Sequence, residues 1–248
     1  MSDGKVSRYG TGHFVGTIAM LAARPDQVAR LLDPRLEPAP QALTPPGSHP
    51  LYFVLGGHTE VRGTWPVFRW FPITYREAFV AVPFVRFRGY ERPFLFMPRL
   101  YLDRWWPTQL GIHGFGFPKV QQDIDDAGQD YEVRERSGSR SALWSASMTA
   151  VPGGPAISSE RMMSGFELPM LGIRRVLGTE TELACWMTFR AAPLPPWRMR
   201  MEIADPWLVA AGFGGTLDFP AAAPGSPGGA VHLEYDWALS FPTSQFDR

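Results

Sequence analysis

The sequence predicts a mainly β fold, an antiparallel barrel or sandwich with a few short helices, on three observations. Glycine and proline contribute 25 residues each to a chain of 248, and they punctuate about ten short β-capable segments. Several segments alternate apolar and polar side chains with the period of two that a half-buried strand requires. Only two short stretches carry helical spacing or helix caps instead. An apolar fraction of 45% with 19% charged residues supplies a sizeable core and excludes an intrinsically disordered chain. A single domain over residues 1–248, with residues 1–10 as a flexible tail, is the expected organisation.

The elements follow in order. His13 to Met20 is apolar and β-capable. Arg24-Pro25-Asp26 then introduces Gln27 to Leu32, where Val28, Leu31 and Leu32 recur at helical spacing. Five prolines between Pro38 and Pro50 mark a loop, after which Leu51 to Leu55 resumes a strand. From Thr74 to Val82, Tyr75, Glu77, Phe79 and Ala81 take one face and Arg76, Ala78, Val80 and Val82 the other. Further strands are expected at Phe84 to Gly89, Phe94 to Leu102, Tyr131 to Arg136, Ala142 to Val151, Leu183 to Ala191 and Arg198 to Ile203. Asp205 as N-cap, Pro206 at the first position and Gly212 as the stop frame a helix over Trp207 to Ala211. Pro220 to Gly229 reads as a loop. The last strand, Val231 to Phe241, directs Val231, Leu233, Tyr235, Trp237, Leu239 and Phe241 to the core.

Charge and cysteine content narrow the function. With 24 basic and 24 acidic residues the formal net charge is zero, which removes the basic footprint of a nucleic-acid binder. The lone cysteine, Cys185, excludes an internal disulfide or a cysteine-held zinc and points to a reducing compartment. The polar first ten residues lack a signal peptide's features, and no run is long and apolar enough to span a bilayer, so a cytoplasmic protein without membrane attachment is expected. The phosphate-binding Gly-x-x-x-x-Gly-Lys loop, His-Glu-x-x-His and the Gly-x-Ser-x-Gly elbow are absent. His13, His49, His58, His113 and His232 show no tight metal-ligand spacing, and an ordinary structural role is the default for each. Neither a metal nor an organic cofactor is expected.

Lysine usage is the most informative count. Only Lys5 and Lys119 are lysine; the other 22 basic residues are arginine, a bias that base composition of the genome alone would produce. Arginine replaces lysine as a surface charge but cannot become a nucleophilic amine. Lys119 lies in Gly111-Ile112-His113-Gly114-Phe115-Gly116-Phe117-Pro118-Lys119-Val120. If this segment is extended, His113, Phe115, Phe117 and Lys119 share a face. A free lysine has a pKa of about 10.4, and burial among rings lowers it. The neutral amine then attacks a ketone to form a Schiff base. The bland alternative is that Lys119 ends a strand and snorkels to water.

Tyr75-Arg76-Glu77, Tyr101-Leu102-Asp103, and Gly111 followed eight residues later by Lys119 in Phe117-Pro118-Lys119 resemble the acetoacetate decarboxylase superfamily in order and spacing. The resemblance runs from about Gly12 to Lys119, with weaker likeness at Leu168-Pro169-Met170-Leu171. It implies a β barrel with an internal cavity, Lys119 as Schiff-base lysine, Glu77 as active-site glutamate, and a homo-oligomer. Val120 stands where the family usually has a second lysine. Gly111-Ile112-His113 replaces Gly-Arg-Glu, and the arginine expected near the first strand falls on Phe14 or His13. The resemblance therefore implies a lyase that handles a small keto acid through a lysine enamine, by aldol addition, dehydration or decarboxylation, with decarboxylation of acetoacetate itself in doubt. Lys119, Glu77 and His113 are the expected catalytic residues; Phe14, His13, Tyr75, Phe115 and Phe117 are the expected substrate contacts. Trp105 and Trp106 are expected in the core or the cavity wall. Glu77 has a bland alternative as a carboxylate paired with Arg76 or Arg86, and the whole protein one as a non-catalytic barrel that binds a small molecule.

Overall fold

The computed structural model describes residues 8–64, 69–138, 140–152, 162–189, 194–223, 226 and 228–244. Fifteen strands follow in chain order: β1 (Arg8–Ala23), β2 (Leu36–Pro38), β3 (His49–Gly63), β4 (Ile73–Phe87), β5 (Phe94–Leu102), β6 (Lys119–Gln121), β7 (Asp123–Asp126), β8 (Asp130–Arg134), β9 (Ala142–Ala150), β10 (Met170–Val176), β11 (Thr179–Cys185), β12 (Met187–Phe189), β13 (Pro196–Ile203), β14 (Gly215–Phe219) and β15 (Gly229–Ser240). Three short helices, α1 (Pro25–Ala29), α2 (Trp105–Leu110) and α3 (Pro206–Ala211), accompany a π-turn at Gly111–Phe115 and a 3-10 turn at Ser164–Glu167.

The strands form one sheet in the order β11-β10-β5-β4-β3-β1-β15-β13-β9-β8-β7. Mainly β architecture with few helices is thus observed. The end strands β11 and β7 are not partners, so the sheet is not closed into the expected barrel. Two of its pairings are also parallel rather than antiparallel: β5 receives β10 at Leu95 and Phe96 and β6 at Leu100 to Leu102. One strand edge divided between two short partners leaves no continuous edge for closure. Residues 8–10 belong to β1, which removes them from the expected tail; residues 1–7 lie outside the described residues.

Strands β3 and β4 are buried on both faces. Phe53, Leu55, Ala78 and Val80 enter one apolar cluster with Trp144, Met199 and Phe219. Tyr52, Val54, Tyr75 and Phe79 enter a second with Phe14, Phe117 and Trp237. The alternation read from Tyr75 to Val82 is the division between these two interiors. The expected break before Phe84 is a bulge inside β4. Pro83 has no N–H to donate and Phe84 takes a positive φ of 53°, so pairing with β5 shifts register while the strand continues to Phe87.

At α3, the Asp205 side chain accepts from Trp207 N at 3.0 Å and Gly212 closes the helix at φ +92°. The other helix begins at Pro25 and ends at Ala29 rather than running to Leu32. In β15, Val231, Leu233 and Trp237 are buried as expected, whereas Phe241 lies beyond the strand and is exposed. Among the described residues, no helix is long and apolar enough to cross a membrane.

Candidate active site

Lys119 reaches the second interior by a route that differs from the expected extended segment. Helix α2 runs into the π-turn, and Gly116, at φ +72°, reverses the chain. Gly116 is pressed so closely against the backbone of Ile173 and Arg174 that a Cβ would clash there. Phe117 N then donates to Gly111 O at 3.1 Å, and Lys119 N to Phe117 O at 2.8 Å. Lys119 next pairs with Leu100 in the parallel register of β6 and β5. Its side chain lies across Gly111: a Cβ at that position would overlap Lys119 Cδ and Cε. The eight-residue spacing of Gly111 and Lys119 is therefore a packing requirement, the small residue making room for the long one.

Two chambers meet at this lysine. The inner one, about 90 Å³, is walled largely by apolar side chains, among them Phe14, Phe79, Met97, Phe166 and Met170. The outer one, about 90 Å³, lies between Tyr9, Ile73, Pro107, Leu110 and Phe115. Tyr75, Phe117, Lys119, Trp237 and Leu239 line both. Phe115 and Phe117 stack at 5.6 Å and 15°, and Lys119 Nζ stands 6.0 Å from the centre of the Tyr75 ring. Burial among these groups lowers the Lys119 pKa below the ordinary lysine value, while the Glu77 carboxylate and, more weakly, Cys185 act in the opposite sense. Desolvation thus outweighs attraction and moves the amine toward its neutral form.

Glu77 projects from β4 into the inner chamber and is 7% exposed. His58, from the neighbouring β3, approaches Glu77 Oε1 with Nε2 at 2.8 Å. On the other side of the same ring, Trp237 Nε1 donates to His58 Nδ1 at 3.0 Å. An indole nitrogen is a donor only, so His58 Nδ1 is the acceptor and Nε2 carries the proton that it donates to Glu77. The tautomer is fixed by its two neighbours. Tyr75 stacks on the same imidazole at 4.7 Å. Burial alone would raise the Glu77 carboxyl, but the hydrogen bond donated by His58 together with the nearby Lys119 holds it below the usual value. The drift toward neutrality that burial suggests is overturned, and Glu77 is a carboxylate able to accept a proton.

The structure brings together Lys119, Glu77, Tyr75, Phe14, Phe115 and Phe117 around the two chambers. It does not bring His113 or His13 there. His113 sits exposed in the π-turn, because the segment that was to align it with Lys119 is helical. His13 points to the other side of β1 from Phe14, into an outer cleft where it meets Asp236 at 2.9 Å and Glu234 at 3.5 Å. Trp105 and Trp106 are 51% and 62% exposed, because they cover the outer side of α2 rather than the core. Arg76 faces Asp103 at 4.0 Å and Arg86 faces Glu37 at 2.9 Å, so neither pairs with Glu77.

The residue the sequence reading passed over is His58. Ending the strand at Leu55 hid it; continued through Gly56 and Gly57, the period of two from Tyr52 and Val54 reaches His58. Among the described residues, no group of three or more His, Cys, Asp or Glu side chains is placed to hold a metal ion.

No family model and no curated protein sequence matches the chain. Solved structures do. Acetoacetate decarboxylase from Legionella pneumophila superposes with a TM-score of 0.66 at 15% identity, covering 97% of this chain and 87% of that one. The chain has the acetoacetate decarboxylase fold. An acetoacetate decarboxylase-like enzyme from Sphingomonas wittichii gives 0.65 at 14% identity, with 96% and 93% covered. The enduracididine biosynthesis enzyme MppR, complexed with the condensation product of pyruvate and imidazole 4-carboxaldehyde, gives 0.62 at 16% identity, with 95% and 87% covered. The resemblance carried by Tyr75-Arg76-Glu77 and Phe117-Pro118-Lys119 therefore extends over almost the whole chain as a fold.

Proposed function

We propose that this protein is a Schiff-base-forming lyase that acts on a small keto acid through an enamine on Lys119. The observation that carries the proposal is the chain's one internal lysine, with a lowered pKa, set between two chambers beside a carboxylate. In this reading the Nζ lone pair attacks the substrate carbonyl carbon, water leaves, and the resulting iminium draws electrons from the adjacent carbon. Glu77 takes the proton released from that carbon, which gives the enamine, and returns it later. His58 donates to Glu77 and orients the carboxylate, and Trp237 keeps His58 in the required tautomer. The enamine carbon then adds to an aldehyde, or the same electron flow begins with loss of carbon dioxide.

Condensation is favoured over decarboxylation by what surrounds the amine. The first-strand position expected to carry an arginine falls on Phe14 or His13, and among the described residues no arginine lines the inner chamber. The fold neighbour that holds a product of pyruvate and an aldehyde supports the same choice. Incubation with pyruvate or acetoacetate and borohydride should add the reduced substrate mass at Lys119. Parallel assays of carbon dioxide release and of pyruvate–aldehyde condensation separate the two chemistries. Rapid decarboxylation without condensation would reverse the preference. A mass shift confined to Lys5, or none with a broad panel, would leave a non-catalytic binding protein as the better reading.

A further inference from the structure

The inner chamber has two ends, and the strand registers locate them. On one face of β3, His58, Gly56, Val54 and Tyr52 follow at every second residue, opposite Tyr75, Glu77, Phe79 and Ala81 of β4. The amine end lies at Glu77, with Lys119 in the same wall. From there the wall continues along Val54 and Phe79 toward Tyr52, which a strand rise of about 3.3 Å per residue places roughly 13 Å beyond Gly56. At that far end the Phe166 ring stacks on Tyr52, with centroids 5.0 Å apart and planes at 28°. Phe166 lines the chamber, and Tyr52 stands buried behind it. The segment that carries Phe166 is pinned on both sides. The Tyr52 hydroxyl donates to Met162 O at 2.7 Å, and Leu95 N donates to Pro169 O at 2.9 Å. Between these pins the 3-10 turn is pressed onto the sheet, since a Cβ on Gly165 would come within 2.7 Å of both Pro83 Cβ and Tyr52 Cε2. A ring held in this way does not yield freely to a longer ligand.

We propose that Phe166 is the specificity-determining residue of the site: it closes the end of the inner chamber remote from Lys119 and sets the longest carbon arm that the Schiff base can carry, with Tyr52 as its positioning residue. The inference rests on the Schiff-base reading above and deepens it by naming the substrate class, keto acids whose apolar arm is short. The chamber's 90 Å³ admits on the order of six water-sized atoms at roughly 15 Å³ each, so the limit falls at an arm of about six carbons. The covalent step is unchanged. The amine displaces the carbonyl oxygen as water, and borohydride delivers hydride to the imine carbon and fixes the adduct.

The test uses the full chain and straight-chain 2-oxo acids with arms of one to ten carbons, trapped with borohydride at a range of concentrations. Expressed relative to pyruvate in the same variant, the half-saturating concentration should fall about threefold for each added methylene. It should then rise sharply once the arm meets Phe166, at about six carbons. Phe166→Ala should move that turning point outward by about three carbons, because most of the space of the ring is left open. Phe166→Leu keeps an apolar side chain in place and should move it by about one; melting curves show which variants are folded, and the leucine variant carries the test if the alanine variant is not. Tyr52→Phe keeps the stacked ring and removes the donor to Met162 O, so over-long arms should bind about fivefold better relative to pyruvate, the worth of one lost hydrogen bond holding the turn. A merely structural role would instead weaken every arm length alike. No turning point in the wild type, a turning point that stays in place in folded Phe166 variants, or equal losses at all lengths overturns the gauge while leaving the lysine chemistry intact. Absence of trapping with every compound removes the Schiff-base reading itself.

Discussion

Neighbouring residues of β3 and β4 face two interiors that are built differently. On one side Phe53 meets Trp144 at 6.0 Å and Phe219 at 5.8 Å, with Leu55, Ala78 and Val80 filling the spaces between. On the other side, one residue along each strand, Val54, Glu77 and Phe79 border a hollow of about 90 Å³. The first interior is filled by packed side chains, with the Tyr101 and Tyr131 hydroxyls hydrogen-bonded at its margins; the second gives up contact around an amine and a carboxylate. A hollow lined by good hydrophobic residues is costly, and the proposed chemistry is assigned to the second interior for that reason. The largest expected contrast follows. Lys119→Arg keeps the charge but should abolish borohydride trapping, because a guanidinium does not become a free amine. Phe53→Ala should instead destabilise the fold by about 3–5 kcal/mol, seen by denaturant unfolding, while the folded fraction still traps a ketone at Lys119. Loss of trapping in a well-folded Phe53→Ala would erase the distinction between the two sides.

The next test separates the groups within the hollow. Glu77→Gln keeps the shape and removes the proton acceptor, so α-proton exchange of a bound ketone, followed by NMR in deuterium oxide, should slow by about a hundredfold or more. Trapping should be largely retained. Trp237→Phe should slow exchange less, by about tenfold, because it frees His58 Nδ1 and with it the tautomer that donates to Glu77. Its distinguishing sign is a changed His58 Nε2–H signal in the NMR spectrum while trapping is retained. Equal loss of exchange and trapping in Glu77→Gln would make that residue a wall of the cavity and nothing more.

How much of this was legible in the sequence depends on whether the chain kept one period. From Tyr75 to Val82 it did, and the assignment of Glu77 to the aromatic face is the arrangement observed. Around Lys119 it did not. Alternation of His113, Phe115, Phe117 and Lys119 matches a strand, yet the segment is a π-turn followed by a reversal at Gly116, and tertiary packing of Gly116 and Gly172 against neighbouring backbone decides the matter. Short apolar segments with glycine every second residue are ambiguous for this reason. Phe115 and Phe117 nevertheless arrive beside the lysine, because the turn stacks them, whereas His113 is left outside. His58 was hidden by a glycine pair read as a strand end. Closure of the sheet depends on which edges β6 and β10 choose, a long-range choice that local pattern does not encode.

A smaller effect should come from the packing under the lysine. Gly111→Ala introduces a methyl group where Lys119 Cδ and Cε now lie, so either the helix end or the amine must shift by some fraction of an ångström. The residue is in an αR conformation that alanine accepts without strain, and helix propensity improves. Stability should therefore change little while trapping slows by about tenfold, since displacement of a reacting group is costly even when the fold tolerates it. The matching small-to-larger change in the packed interior, Ala78→Val, should reverse the pattern, lowering stability by about 1–3 kcal/mol with trapping unaffected.

The smallest expected effect tests why the Lys119 pKa is lowered. Burial is the leading cause of the lowered Lys119 pKa and Glu77 opposes it, so two substitutions should move it in opposite directions. Phe117→Gln admits water beside the ammonium form, which raises the pKa and shifts the rise of trapping with pH to higher values by about one unit, a tenfold loss of neutral amine at a fixed pH below that point. Glu77→Gln removes the attracting carboxylate, which lowers the pKa and shifts the same rise to lower pH. The stability linkage has a matching sign. With a folded pKa below the unfolded value, the unfolded chain holds more protons across the interval between them, so wild-type stability rises with pH as it climbs from the folded value toward about 10.4. That rise should shorten in Phe117→Gln and lengthen in Glu77→Gln. Shifts of the trapping profile in the same direction for both variants would show that geometry, and not solvation balanced against charge, sets the reactivity of Lys119.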